Sequence, residues 1–268
     1  MFPFFEVFGR VIGTYSVCSV VGLLLCGLVA TLLGKRYKIA FEDIVLVMLV
    51  AGAGLVVGGH ILYSITNIPG IINVFSNIGK YGGIIEFGQA LAPYVGGMVF
   101  YGGFIGAVIA LMIYTKRSKI LVRSQILDIF AVCVPLFHTF GRIGCFLGGC
   151  CYGVESSWGF ITHTNTISPE INGVVRFPVQ LFEAGFNFII FLVLLGLFLK
   201  KKQEGKIMYW YLIMYPVVRF TLEFFRGDEI RGFLWFFSTS QWLSIILFVF
   251  AIVKLLITKR RPQSAMSE

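Results

Sequence analysis

Seven stretches of this chain are each long and apolar enough to cross a lipid bilayer, which leaves few folds open to it. They cover residues 11–34, 44–66, 93–115, 126–149, 179–199, 207–225 and 236–258, where a bilayer core demands roughly 20 residues. Hydrophobic residues make up 57% of the sequence and charged residues 13%, about half the charge of a soluble domain. An ordinary soluble protein is excluded. The expected fold class is all-α: a polytopic membrane protein with seven transmembrane helices, one integral membrane domain over 1–268.

The net charge of +9 invites a nucleic-acid reading, but its distribution points to a membrane and no nucleic acid. Basic residues fall on alternate connections: Lys35, Arg36 and Lys38, then Lys116, Arg117, Lys119 and Arg123, then Lys200, Lys201, Lys202 and Lys206. Lys254, Lys259, Arg260 and Arg261 follow at the C-terminal end, which puts fifteen of the 22 basic residues on one side. The positive-inside rule then sets the N-terminus out and the C-terminus in. The first window is too long for a typical signal core and is read as a retained helix. The two longest connections both lie outside. Residues 67–92, rich in Gly and Ile, are expected as an interfacial arm, and 150–178, with Trp158 and several threonines, as a small extracytoplasmic cap.

Polar residues inside the spans carry the functional argument. Windows four, five and six hold Asp128, Arg142, Glu183, Arg219 and Glu223. An arginine near the middle of a spanning helix costs about 2.5–3.5 kcal/mol on insertion scales, so it marks a site by default. Its planar fork suits a phosphate. Arg142 lies in the densest such stretch, HTFGRIGCFLGGCCYG at 138–153. Glycines at 141, 144, 148, 149 and 153 predict a broken helix there, with freed amides able to bind an anion. Pairs four apart (Gly54 and Gly58, Gly102 and Gly106, Gly144 and Gly148) predict close helix contacts. These features point to an enzyme that works on a phospholipid headgroup.

The run GRIGCFLGGCCYG resembles the motif of bacterial prolipoprotein diacylglyceryl transferases, which usually reads like GRxGNFxNGExxG. Further segments resemble that family in the same order: VGGMVFYGGFIGAVIA at 95–110, RFPVQLFEA at 176–184, VVRFTLEFFRGDE at 217–229 and SQWLSI at 240–245. The resemblance implies an enzyme of the bacterial cell membrane, without a cofactor, whose partners are phosphatidylglycerol, a prolipoprotein signal peptide and membrane lipids. Such an enzyme moves the diacylglyceryl group of phosphatidylglycerol onto the lipobox cysteine thiol and releases glycerol phosphate. Arg142 and Arg219 match the family's two arginines and are expected to bracket the phosphate. Glu223, one turn after Arg219, is expected to orient it. Tyr15, Gly149, Gly153 and Gln180 are expected at the substrate, as are Cys145 and Cys150.

Several positions depart from the family pattern. Tyr101 stands where a histidine is expected, Cys145 replaces the motif's first asparagine, Cys150 replaces its glutamate, and His60 replaces an arginine. A phenol is a poor base near neutral pH, with an ordinary pKa of about 10. His138, one turn before Arg142, is therefore the preferred acid/base candidate, with Tyr101 the second. The lost carboxylate leaves open a paralogue with another envelope acceptor.

Bland readings stand beside these. Arg142 can tie helices together, Arg219 and Glu223 can be a structural ion pair, and Glu183 and Gln180 can orient neighbours. Arg226, Asp228, Glu229 and Arg231 read as a solvated outer turn. Cys18, Cys26 and Cys133 read as small apolar residues. The spacing H-x6-C-x4-CC is not that of a usual zinc module, so no metal is expected; a Cys145–Cys150 disulfide, and with it a thiol redox protein, stays open. A transporter predicts an inverted repeat, and none is visible.

Overall fold

The computed structural model describes residues 2–201, 203–228 and 233–260; Lys202, Glu229, Arg231 and Arg261 lie outside them. The chain is mostly helical, at 73%. The helices are α1 (Thr14–Gly34), α2 (Phe41–Thr66), α3 (Ile68–Ser76), α4 (Ile84–Val95), α5 (Phe100–Arg117), α6 (Arg123–Gly148), α7 (Val179–Leu199), α8 (Ile207–Leu222) and α9 (Thr239–Arg260). Strands are short: a hairpin of β1 (Phe4–Val7) with β2 (Arg10–Gly13), the cap strand β3 (Glu155–Phe160), and a two-residue pair, β4 (Phe233–Leu234) with β5 (Phe237–Ser238). The first apolar window thus begins in strand rather than in helix.

Among the described residues, five helices are long and apolar enough to cross a membrane: Thr14–Tyr37 (α1 and its following turn), α2, α6, α7 and the Thr239–Ile257 part of α9. A sixth span is counted if α4 and α5, bent by 91° at the break between them, act together. The protein is a multi-pass membrane protein. The sixth window forms α8, which has 16 residues, and a three-residue 3-10 turn, Glu223–Phe225, continues it.

The chain packs as two compact units, one from Ile39 to Ile126 and the other from the residues up to Lys38 and those from Leu127 onward. In the Ile39–Ile126 unit, α2 and α5 pack through the two glycine pairs read from the sequence. A Cβ on Gly54 would lie 2.6 Å from the carbonyl oxygen of Gly106, and one on Gly58 would lie 2.8 Å from the Gly106 Cα. The Val99 amide donates to the Gly59 carbonyl at 3.2 Å and Tyr63 Oη donates to the Pro93 carbonyl at 2.9 Å, which ties the α4–α5 bend to α2. The expected arm over 67–92 is itself largely helical, made of α3 and most of α4.

In the other unit, α1, α6, α7, α8 and α9 carry the polar residues. The Arg36 guanidinium donates to the carbonyls of Phe198 and Leu199 at 2.9 and 3.1 Å, a cation at the C-terminal end of α7. Asp128, 1% exposed, accepts from the amides of Gly205 and Ile207, the latter at 3.0 Å. It satisfies orphan donors at the start of α8, so this suspect intraspan charge is a cap. Asp128→Ala should lower stability by about 2–4 kcal/mol, the cost of leaving buried donors without their charged acceptor. Thermal unfolding in detergent measures this, and an unchanged midpoint would remove the capping role.

The predicted break in α6 falls within the glycine run, at its Gly148–Gly149 pair. The helix continues through Gly141 and Gly144 to Gly148. It ends in a Schellman motif: Gly149, at φ +75°, donates its amide to Phe146 O at 3.2 Å, and the Cys150 amide donates to Cys145 O at 3.1 Å. Glycine weakens a helix by about 1 kcal/mol relative to alanine; within α6, Gly144 packs closely, where an added Cβ would lie 3.1 Å from both Cys18 and Tyr15 side-chain atoms.

Candidate active site

The site begins with helical spacing. His138, Arg142 and Cys145 recur at i, i+4 and i+7 and share one face of α6. Facing them, α7 contributes Gln180, Glu183 and Asn187, and α8 contributes Tyr215 and Arg219. All eight are buried.

Glu183, 1% exposed, is the hub. Its Oε2 accepts from Arg142 Nε at 3.0 Å, and its Oε1 lies 3.5 Å from both His138 Nε2 and the Tyr215 hydroxyl. Arg142 Nε also donates to His138 Nε2 at 3.3 Å, and Asn187 hydrogen-bonds to His138 as well. The single Nε–H of Arg142 is shared between Glu183 and His138.

The second arginine is held differently. Arg219 Nη2 contacts Glu223 Oε2 at 2.6 Å and donates to Ser240 Oγ at 3.3 Å. Its Nη1 is buried with no hydrogen-bond partner among the described residues. An unsatisfied buried charged donor is costly, and an anion would satisfy it. Arg142 and Arg219 both act electrostatically on Glu183, so the two cations belong to one cluster.

Arg226 corrects the reading of a solvated outer turn. Its side chain is 9% exposed and forms a fork-to-fork pair with Asp228, at 2.6 and 3.0 Å. Three arginines therefore each carry a carboxylate partner: Glu183, Glu223 and Asp228. Glu183 faces Arg142 from a different helix, as an orienting neighbour.

The other sequence-predicted residues divide. Tyr15, at the start of α1 and half-exposed, packs beside Gly144, where an added Cβ would come within 3.1 Å of its ring. The Gln180 side-chain amide donates to the Cys150 carbonyl at 2.9 Å and holds the turn after α6. Gly153 lies where segments cross: an added Cβ would meet the Phe225 carbonyl at 3.1 Å and the Phe177 carbonyl carbon at 3.0 Å. Gly149 and Gly153 thus both have structural reasons. Tyr101 is buried at the start of α5 in the Ile39–Ile126 unit. His60, in the same unit, faces the Val95 carbonyl at 3.1 Å.

Cys145, Cys150 and Cys151 are free thiols whose sulfurs all lie within 4.8 Å of one another. Hydrogen bonds from Cys145 and Cys150 hold the Cys151 thiol well below the usual range, with the charges of Arg142 and Arg226 acting in the same direction. Reading the residues alone missed Tyr215, Asn187 and Ser240. Tyr215 has a signal in hindsight, one turn before Arg219 on the same face.

Residues 3–257 match the family model described as prolipoprotein diacylglyceryl transferase. The chain belongs to that family. Among its relatives, the phosphatidylglycerol–prolipoprotein diacylglyceryl transferase 2 of Clostridium perfringens is 31% identical over 268 residues, covering 98% of this chain and 97% of the relative. The phosphatidylglycerol–prolipoprotein diacylglyceryl transferase of Clostridium tetani is 33% identical, covering 97% and 98%. The same-named protein of Campylobacter lari is 31% identical, covering 92% and 90%. The match to the prolipoprotein diacylglyceryl transferase family spans both compact units.

Proposed function

We propose that this chain transfers the diacylglyceryl group of phosphatidylglycerol to the lipobox cysteine of prolipoproteins, in the bacterial plasma membrane. The observation that carries this is the buried Arg142–Arg219 cluster, with Arg219 Nη1 unsatisfied, in a chain of this family. In the proposed step the cysteine sulfur forms a bond to the glyceryl carbon while that carbon's bond to the phosphate oxygen breaks. The electron pair leaves with glycerol phosphate, whose growing charge falls on the two guanidiniums. The thiol must lose its proton to attack, and His138 accepts it. Glu223 and Glu183 position the two arginines. Tyr15, Cys145, Cys150 and Gln180 bound the substrate, with Gly149 and Gly153 shaping the turn beside it.

The proposed architecture is seven spans within one membrane domain, with N-terminus out, C-terminus in, an interfacial arm over 67–92 and an outer cap over 150–178. Five long helices, the bent α4–α5 pair and α8 with its 3-10 continuation support this reading, as do the basic connections for the orientation.

Complementation tests the function: the chain is expressed in cells depleted of their own diacylglyceryl transferase, and lipoprotein modification is assayed. Restored modification is expected. The loss of the motif's carboxylate at Cys150 favours one second reading, transfer to another envelope acceptor. In that case a well-inserted protein consumes phosphatidylglycerol without modifying lipoproteins.

The acid/base assignment gives a separate expectation. An imidazole can accept a proton from a thiol more readily than a phenol can. His138→Gln should lose most of the transfer activity, while Tyr101→Phe keeps it. A dead Tyr101→Phe with a normal His138→Gln would reverse the assignment and make the tyrosine a hydrogen-bond donor.

A further inference from the structure

We infer that Cys145, Cys150 and Cys151 form a three-thiolate site for a soft, thiophilic cation, with monovalent copper the best match. Three sulfurs around one metal ion, with bonds of about 2.3 Å, lie roughly 3.8–4.0 Å apart in tetrahedral or trigonal geometry. The three Sγ atoms here all fall within 4.8 Å of one another, so small side-chain rotations close the set.

Adjacent cysteines seldom chelate one ion because their side chains diverge, and here the backbone removes that obstacle. Gly149 and Cys151 both adopt left-handed conformations, at φ +75° and +54°, and they flank Cys150. For a non-glycine residue such a conformation costs on the order of 1–3 kcal/mol and persists only where surrounding structure enforces it. That structure is present. The Gln180 amide holds the Cys150 carbonyl at 2.9 Å, the Gly227 amide donates to the Tyr152 carbonyl at 3.0 Å, and the Val154 amide donates to Phe225 O at 3.0 Å. The turn is clamped from α7 and from the segment after α8 before any ligand arrives.

The choice of ion follows from the donor set. Thiolates select soft ions. No carboxylate or imidazole joins the three sulfurs in the cluster among the described residues, whereas structural zinc requires four ligands. A monovalent d10 ion is satisfied by three. Binding converts three thiols and one cation into a complex of charge −2 and releases three protons to solvent. The guanidiniums of Arg142 and Arg226, both within electrostatic reach of Cys151, offset that charge. Cys150 and Cys151 are part-exposed, which leaves the ion a route in.

The test uses the full-length protein, reduced and anaerobic in detergent, titrated with Cu(I) against a chromophoric Cu(I) chelator. One ion per chain is expected, and X-ray absorption of the complex should show three sulfur neighbours and no nitrogen or oxygen. Cys151→Ser and Cys151→Ala should each weaken binding at least tenfold. A protein with Cys18, Cys26 and Cys133 all changed to serine should keep it, each variant being checked for monodisperse elution. Retained stoichiometry after serine replaces all three cluster cysteines overturns the site, as do fewer than three sulfurs around the ion. A native Cys145–Cys150 disulfide in membrane-derived protein, or a tighter four-ligand zinc complex, overturns it equally.

Discussion

Arg219→Ala and Arg142→Ala should each reduce diacylglyceryl transfer by about 10³-fold or more, the scale of losing a guanidinium that meets developing phosphate charge. Arg219 offers the sharper test because its Nη1 is buried and unsatisfied while Nη2 is occupied by Glu223 and Ser240. Alanine at this position also strands the buried Glu223 carboxylate, so the lysine variant separates charge from geometry. Arg219→Lys keeps a cation beside Glu223 but lacks the fork, and should remain folded yet recover little activity. Steady-state transfer assays on protein that elutes as a single species measure this. Full activity in either alanine variant would contradict phosphate binding by the pair.

The second large effect is expected at Glu183. Its carboxylate meets Arg142 at 3.0 Å while 1% exposed, so Glu183→Ala leaves a buried guanidinium uncompensated. Breaking one side of a buried pair costs about 3–5 kcal/mol, and Glu183→Ala should show a marked fall in unfolding midpoint. Glu183→Gln retains an acceptor for Tyr215 and the bulk of the side chain. It should fold and yet lose kcat, because Arg142 is no longer held by charge. An unchanged kcat in folded Glu183→Gln would leave Glu183 a purely structural residue.

Much of this site was legible because helical spacing is a one-dimensional rule. Arg219 and Glu223, four apart, meet at 2.6 Å, and the glycine pairs of α2 and α5 mark where those helices touch. Contacts between helices are less legible. Nothing local in the sequence says that Glu183 on α7 reaches Arg142 and His138 on α6 and Tyr215 on α8. The solvated reading of Arg226 failed because Asp228, two residues on, folds back to pair with it. The glycine run marks where α6 ends, at Gly148 and Gly149, while Gly141 and Gly144 stay helical because about 1 kcal/mol per glycine does not by itself break a helix. The convergence of three cysteines was hidden for a related reason: two left-handed residues decide it, and only Gly149 advertises that conformation.

The measurement that bears most directly on the account is mass spectrometry of products after the purified protein is incubated with labelled phosphatidylglycerol and a lipobox peptide. A peptide carrying one diacylglyceryl group on its cysteine is expected, with an equal amount of glycerol phosphate released, and neither product from Arg219→Lys. An unmodified peptide and unconsumed phosphatidylglycerol, from protein shown to be folded, would contradict the proposed transfer.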